Sequence, residues 1–164
     1  MIVKIKLLRQ EAVMPKKATP LSVGYDLYTC EDFLVEQKRV VIPLGFALEM
    51  PEGVEAKIEP RSGFSSRGIE GYFVTNYDCK GGFRSLNRER FSADVLVGKI
   101  DPDYTGEVSV IIKREFGCRD FIIPAGTRIA QMTFYKTYAP DFELTDTLTE
   151  TERGDGGFGS TGTN

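Results

Sequence analysis

Apolar residues in this chain recur mostly at every second position, in short runs rich in Val, Ile, Phe and Tyr. That period puts alternate side chains on opposite faces of an extended strand. The runs predict strands over 2–7, 24–28, 39–43, 45–50, 54–59, 95–100, 107–113, 121–123 and 128–135. Pro43-Leu44-Gly45, Pro51-Glu52-Gly53 and Pro124-Ala125-Gly126 read as the turns between them. Residues 65–94 are more polar and less regular, with Lys80-Gly81-Gly82 as a breaker and room for a turn or two of helix near 85–92. No stretch carries the period of a long amphipathic helix. Many short strands at regular spacing predict an all-β fold, a sandwich or jelly-roll-like barrel. Apolar anchors are few after Leu148, so the expected division is a β-barrel over 1–139 and an arm over 140–164.

Composition narrows the chemistry. A chain of 164 residues buries a single core without staples. Its net charge of −3 and pI near 5.2 offer no basic face for nucleic acid. The alternating start, Met1-Ile2-Val3-Lys4-Ile5-Lys6, is a strand pattern rather than a signal peptide, and no apolar run reaches membrane-spanning length. Cys30, Cys79 and Cys118 form no CxxC pair and read as reduced thiols, so a cytoplasmic protein is expected. Histidine is absent. Ser-His-Asp and Cys-His catalysis and HExxH zinc hydrolysis are thereby excluded, and any general base is a carboxylate, lysine, tyrosine or thiol.

The residues 153–162 carry five glycines, two hydroxyls, an arginine and an aromatic. Glycine-rich backbone is mobile when empty, and its consecutive N–H groups, here including Gly157 and Gly159, close readily around an anion. Arg153 offers a planar fork for phosphate, Ser160 and Thr161 offer hydroxyl donors, and Phe158 offers a flat face for a nucleobase. The functional reading is a mobile arm that clamps a nucleoside phosphate; the bland one is a Gly/Ser linker. No GK[ST] step makes it a Walker loop.

Four more polar clusters lie at strand ends or turns. Gly24-Tyr25-Asp26-Leu27-Tyr28 sets a carboxylate in an apolar strand, where a satisfied structural Asp is the bland alternative. Pro60-Arg61-Ser62-Gly63 is either a strand-to-loop turn or an oxyanion cradle of arginine, hydroxyl and glycine amide. The segment from Gly98 to Glu107 reads as a β-hairpin with Asp101, Asp103 and Tyr104 at its tip. Gly126-Thr127-Arg128-Ile129-Ala130-Gln131-Met132 opens a strand whose Arg128 and Gln131 either face solvent or serve a site.

Taken in order, these five clusters resemble the five motifs of the trimeric dUTPases: GYDLY, PRSG, GKIDPDYTGEV, GTRIAQM and RGDGGFGSTG, spanning nearly the whole chain. The resemblance implies a jelly-roll-like homotrimer with a mobile glycine-rich arm. Its sites draw on more than one chain, and each arm closes over a neighbouring subunit's site. It implies hydrolysis of dUTP to dUMP and pyrophosphate, limiting uracil incorporation into DNA and supplying dUMP for thymidylate synthesis. Asp101 corresponds to the carboxylate that orients the water attacking the α-phosphorus, and Tyr104 to the ring beneath the deoxyribose. The hairpin backbone, including Ile100 and Gly106, corresponds to the uracil-reading edge. Ser62 and the Gly63 amide match contacts to the α- and β-phosphates, with Arg61 a brace for Asp26. Gln131 matches a phosphate-contacting amide. Arg153, Ser160 and Thr161 would take the γ-phosphate and Phe158 would stack on uracil. The implied cofactor is Mg²⁺, held by substrate phosphates with no direct protein ligand, Asp26 touching at most a metal-bound water.

Length is the main departure. Thirty-four residues, Phe64 to Val97, separate PRSG from the hairpin, which suggests an insertion of roughly twenty near 70–92. One reading is a surface excursion, another a contact for a protein partner, as in some phage members. Two further alternatives are a dCTP deaminase-like member of the same fold and a non-catalytic binding homologue. Retention of Asp101, Tyr104, Arg153 and Phe158 argues against both.

Overall fold

Three antiparallel sheets make up the body of the protein, described here in a computed structural model for residues 1–74 and 88–156. The strands are β1 (Lys4–Leu7), β2 (Lys16–Lys17), β3 (Tyr25–Tyr28), β4 (Phe33–Val35), β5 (Arg39–Glu49) and β6 (Val54–Glu59). A short helix, α1 (Ser62–Arg67), follows. Then come β7 (Ile69–Phe73), β8 (Arg88–Phe91), β9 (Ala93–Leu96), β10 (Gly98–Ile100), β11 (Glu107–Arg114), β12 (Phe121–Ile123) and β13 (Arg128–Lys136). Their orders are β1-β5-β11-β9, β10-β6-β13-β3-β2 and β4-β12-β7-β8. Between the sheets lie Phe46, Phe121, Leu27, Ile42, Leu44, Ile112, Ile123 and Ile129, all essentially inaccessible. The all-β expectation holds, and the single helix among the described residues is six residues long.

Several element boundaries differ from the sequence reading, each for a local reason. Residues 39–43 and 45–50 are not two strands around a turn; β5 runs unbroken from 39 to 49. Gly45 takes a left-handed φ of +76°, and the pairing with β11 slips there, from Glu107↔Ala47 to Ser109↔Pro43. This is a β-bulge, and it turns the alternating burial of 39–44 into continuous burial through Leu48. The expected strand 95–100 is divided at the exposed Val97, where the chain leaves β11 for β6. The helical turn anticipated near 85–92 is strand β8 over 88–91; residues 85–87 lie outside the described residues.

The polar segment is also more than a surface excursion. Strands β7 and β8 pair from Ile69↔Phe91 to Tyr72↔Arg88. Phe91 stacks on Phe121 at 4.3 Å between centroids and meets Phe73 edge-on at 4.9 Å. The two ends of the suggested insertion are therefore paired strands of the third sheet, with Phe91 in the core and Arg88–Arg90 exposed, while 75–87 lie outside the described residues. Cys30 and Cys118 are free thiols; Cys79 lies in the same undescribed stretch. Among the described residues no helix is long and apolar enough to cross a membrane.

Candidate active site

Pro60 cannot donate to the sheet ladder, so it ends β6 and starts the turn into α1. Arg61 is the extended N-cap, and its carbonyl accepts the N–H groups of Phe64 and Ser65, both at 2.9 Å. Phe64, 4 % exposed, pins the helix to the core. Among the described residues the amides of Ser62 and Gly63 have no protein acceptor, and they point out of the first turn as donors for an anion.

Beside this turn sits Asp26 on β3, buried in spite of its charge. Its Oδ1 accepts from Arg61 Nε at 2.7 Å, and its Oδ2 accepts from Arg128 Nη1 at 3.3 Å. Two guanidiniums offset the desolvation of one carboxylate, and the ion pair fixes where the half-buried Arg61 side chain lies. Gln131 on β13 lies opposite Asp26 in the ladder, and its Nε2 donates to the Pro60 carbonyl at 3.2 Å. Gly24 makes room for that amide: a Cβ there would stand 2.6 Å from Gln131 Oε1. The turn entering β13 is braced by the buried Thr29, which donates to the Pro124 carbonyl at 2.7 Å and accepts from the Thr127 amide at 3.0 Å.

The second set of residues is the hairpin between β10 and β11. The Tyr104 amide donates to the Asp101 carbonyl at 3.1 Å, closing a tight turn that leaves the Asp101 side chain exposed. The Tyr104 hydroxyl donates to the Glu107 carbonyl at 3.1 Å, so the ring lies across Gly106. A Cβ on Gly106 would come within 2.5 Å of that hydroxyl. Glu107 secures the hairpin base by accepting from the bulge amide of Gly45 at 2.9 Å. Next to the hairpin is a cavity of about 340 Å³, lined in part by Ile100, Asp101, Tyr104, Lys99 and Val108. Lys99 Nζ reaches Glu55 Oε2 on β6 at 2.8 Å. That hydrogen bond holds the Glu55 carboxyl below its ordinary range and the Lys99 ammonium above its own.

These two sets do not meet within one chain. Because Ile100 pairs with Ala56, Asp101 lies at the start of β6, whereas Arg61 and Ser62 follow its end. Six residues of strand put about 20 Å between them. Arg153 is remote from both in sequence and exposed, its Nε donating to the Gly156 carbonyl at 2.9 Å in a turn through Gly154. Gly157, Phe158, Gly159, Ser160 and Thr161 lie outside the described residues. Sequence reasoning missed Thr29, Glu55 and Lys99 as supports, since their partners are distant in sequence. Gly24 did carry a signal: a glycine beginning a strand-like run needs a spatial reason.

The sequence model of the dUTPase family matches residues 10–92 and 82–162. A deoxyuridine 5'-triphosphate nucleotidohydrolase of Arabidopsis thaliana is 39 % identical over 160 residues, covering 97 % of this chain and 82 % of the relative. Among solved structures, the Staphylococcus bacteriophage 80alpha dUTPase with dUPNHPP superposes with a TM-score of 0.77 at 25 % identity, over 99 % of both chains. A dUTPase from phage phi11 of S. aureus, solved for the coordination of a structural Mg(II) ion, has a TM-score of 0.69 at 21 % identity. That match covers 90 % of this chain and 99 % of the other.

Proposed function

Because the chain belongs to the dUTPase family, we infer that it hydrolyses dUTP to dUMP and pyrophosphate. The observation that carries the assignment of residues is the hairpin, where a carboxylate and a tyrosine ring border one cavity. Asp101 orients a water toward the α-phosphorus and accepts its proton as charge moves onto pyrophosphate. The Tyr104 ring, pressed against Gly106, lies beneath the deoxyribose and leaves no space for a 2′-hydroxyl. The backbone of Ile100 and Gly106 reads the uracil edge. Cytosine would reverse donors and acceptors there and leave buried groups unpaired, at about 1–3 kcal/mol each.

The phosphates belong on the other set. Ser62 and the Gly63 amide take the α- and β-phosphates, Gln131 adds an amide donor, and Arg61 works through Asp26. The complete site forms between copies in a homotrimer, a reading supported by the separation of about 20 Å between the two sets along β6. Residues 1–139 form the barrel and 140–164 the arm, whose Arg153, Gly157, Phe158, Gly159, Ser160 and Thr161 close over a neighbouring subunit. Closure excludes water and strengthens each charged contact.

The donor chemistry fits Mg²⁺ held by substrate. Among the described residues no three acidic or thiol groups cluster, and both Asp26 oxygens already accept from guanidiniums. Asp26 retains lone pairs enough to accept from one metal-bound water. Mg²⁺ on the phosphates would neutralise their charge; the chain's residues orient and enclose them.

Pyrophosphate release across the nucleoside triphosphates tests the reading. It requires strong preference for dUTP over UTP, dCTP and dTTP, and ammonia release from dCTP would instead identify a deaminase. A protein partner for 70–92 is a second reading, supported by an open groove that Phe73, Phe116 and Arg119 border beside β8, with Phe116 fully exposed. Phe116→Ala should then abolish that contact and spare dUTP turnover.

A further inference from the structure

A second hollow, of about 300 Å³, opens between α1, the β7–β8 hairpin and the turn at 124–128. Five guanidiniums line it, those of Arg61, Arg67, Arg88, Arg90 and Arg128, against one carboxylate, Glu70. The ladder explains the convergence in part. Arg88 and Arg90 are two apart on β8 and share a face, opposite Tyr72 and Glu70. Arg67 lies one helical turn beyond Gly63, and its Nη2 would stand 3.1 Å from a Cβ placed there.

Partners account for only some of this charge. Arg61 and Arg128 share Asp26, and Arg90 is paired with Glu70. Arg88 donates to the neutral Tyr72 hydroxyl at 2.9 Å. Among the described residues neither Arg67 nor Arg88 has a carboxylate within ion-pairing distance. Five guanidiniums against Asp26 and Glu70 leave an excess of three positive charges, in a chain whose net charge is −3. Cations gathered in one concavity repel each other and focus a positive potential into it. A ligand with several anionic oxygens relieves that repulsion, and planar forks from several directions match the tetrahedral oxygens of phosphoryl groups.

We propose that this hollow binds inorganic pyrophosphate, with Arg67 and Arg88 supplying the uncompensated cations. The proposal rests on the inferred hydrolysis only for the source of the anion, since pyrophosphate is the product that reaction releases. Arg61 and Gly63 border both this hollow and the phosphate turn, so the two sites adjoin. Pyrophosphate leaving the reaction would be held next to it, and product inhibition follows.

The test is calorimetric titration of inorganic pyrophosphate into the full-length protein and into Arg67→Ala/Arg88→Ala, with dUTP kinetics on both. Loss of two charge-assisted contacts should weaken pyrophosphate binding and raise its inhibition constant by about tenfold or more. kcat/KM for dUTP should stay within about twofold, a small effect on the scale of transition-state energies. Arg67→Gln and Arg88→Gln, each made singly, serve if the double variant does not fold, and each should weaken binding. Unchanged affinity in these variants, or no pyrophosphate binding by the parent protein, would overturn the proposal. Arginine-dependent pyrophosphate binding by a protein that did not hydrolyse dUTP would sink the inferred function and leave this site standing.

Discussion

Replacing Gly106 with alanine probes the hairpin most finely. The new Cβ would lie 2.5 Å from the Tyr104 hydroxyl and 2.6 Å from the ring carbon bearing it, about an ångström inside ordinary contact. Backbone on either side is held, by the Tyr104 amide bond to Asp101 and by the pairing of Glu107 with Ala47, so the ring must move. Tyr104 is 47 % exposed, which gives the ring an outward path and keeps the cost to folding small. The displaced hydroxyl loses its bond to the Glu107 carbonyl, a net loss of about 0.5–1.5 kcal/mol. A displacement of about 1 Å in a group that positions substrate costs up to about a hundredfold. We expect a kcat/KM for dUTP reduced about 10- to 100-fold, with a larger relative rate on UTP as the barrier to a 2′-hydroxyl moves away. Steady-state kinetics on both nucleotides provide the assay. Gly98→Ala, on the same hairpin, is the control, because a Cβ there meets nothing within 4 Å. Wild-type kinetics and an unchanged UTP/dUTP ratio in Gly106→Ala would refute the role given to the tyrosine ring.

Other outcomes follow from the packing and the charges. Phe91→Ala should destabilise the protein by about 3–5 kcal/mol in denaturant unfolding, because it empties a buried stack on Phe121. A change below about 1 kcal/mol, well under that range, would return β8 to the surface. Glu55, whose carboxyl is held low by Lys99, stabilises the fold above the ordinary carboxylate range and loses that contribution as pH falls through its own lowered value. Glu55→Gln should therefore melt below wild type at neutral pH, the gap closing under about pH 4; a gap that persisted at low pH would contradict the ion pair. Removing 153–164 should leave the melting temperature nearly unchanged and cut kcat/KM for dUTP by a hundredfold or more, equivalent to about 2.7 kcal/mol. Full activity without the arm would make it a linker.

Regular alternation made most strands legible, because one-sided burial writes itself into the sequence at period two. β5 hid its continuity, since Pro43-Leu44-Gly45 looks the same in a turn and in a bulge; only Glu107, reaching the Gly45 amide from far along the chain, distinguishes them. β8, Arg-Glu-Arg-Phe, carries a single apolar residue and gains its place by pairing with β7. α1 owes its start to Pro60 and its anchoring to one residue, Phe64, too little for a periodic signal. For the site, Asp26, Arg61, Ser62, Gly63 and Gln131 were all named from their motifs, and the ladder brings them together. The distance between them and Asp101 was not legible, because it depends on the antiparallel register of β10 on β6. The five-arginine hollow was equally hidden, being assembled from five elements or turns of mixed composition.

In the inferred mechanism Asp101 directs water onto the α-phosphorus of dUTP. Hydrolysis in ¹⁸O-water with mass analysis of both products, run on the parent protein and on Asp101→Asn, tests it most directly. Attack at the α-phosphorus puts the label in dUMP, and Asp101→Asn should lose more than about a hundredfold in turnover while keeping its binding of a non-hydrolysable dUTP analogue. Label in pyrophosphate, or near-normal turnover by Asp101→Asn, would contradict it.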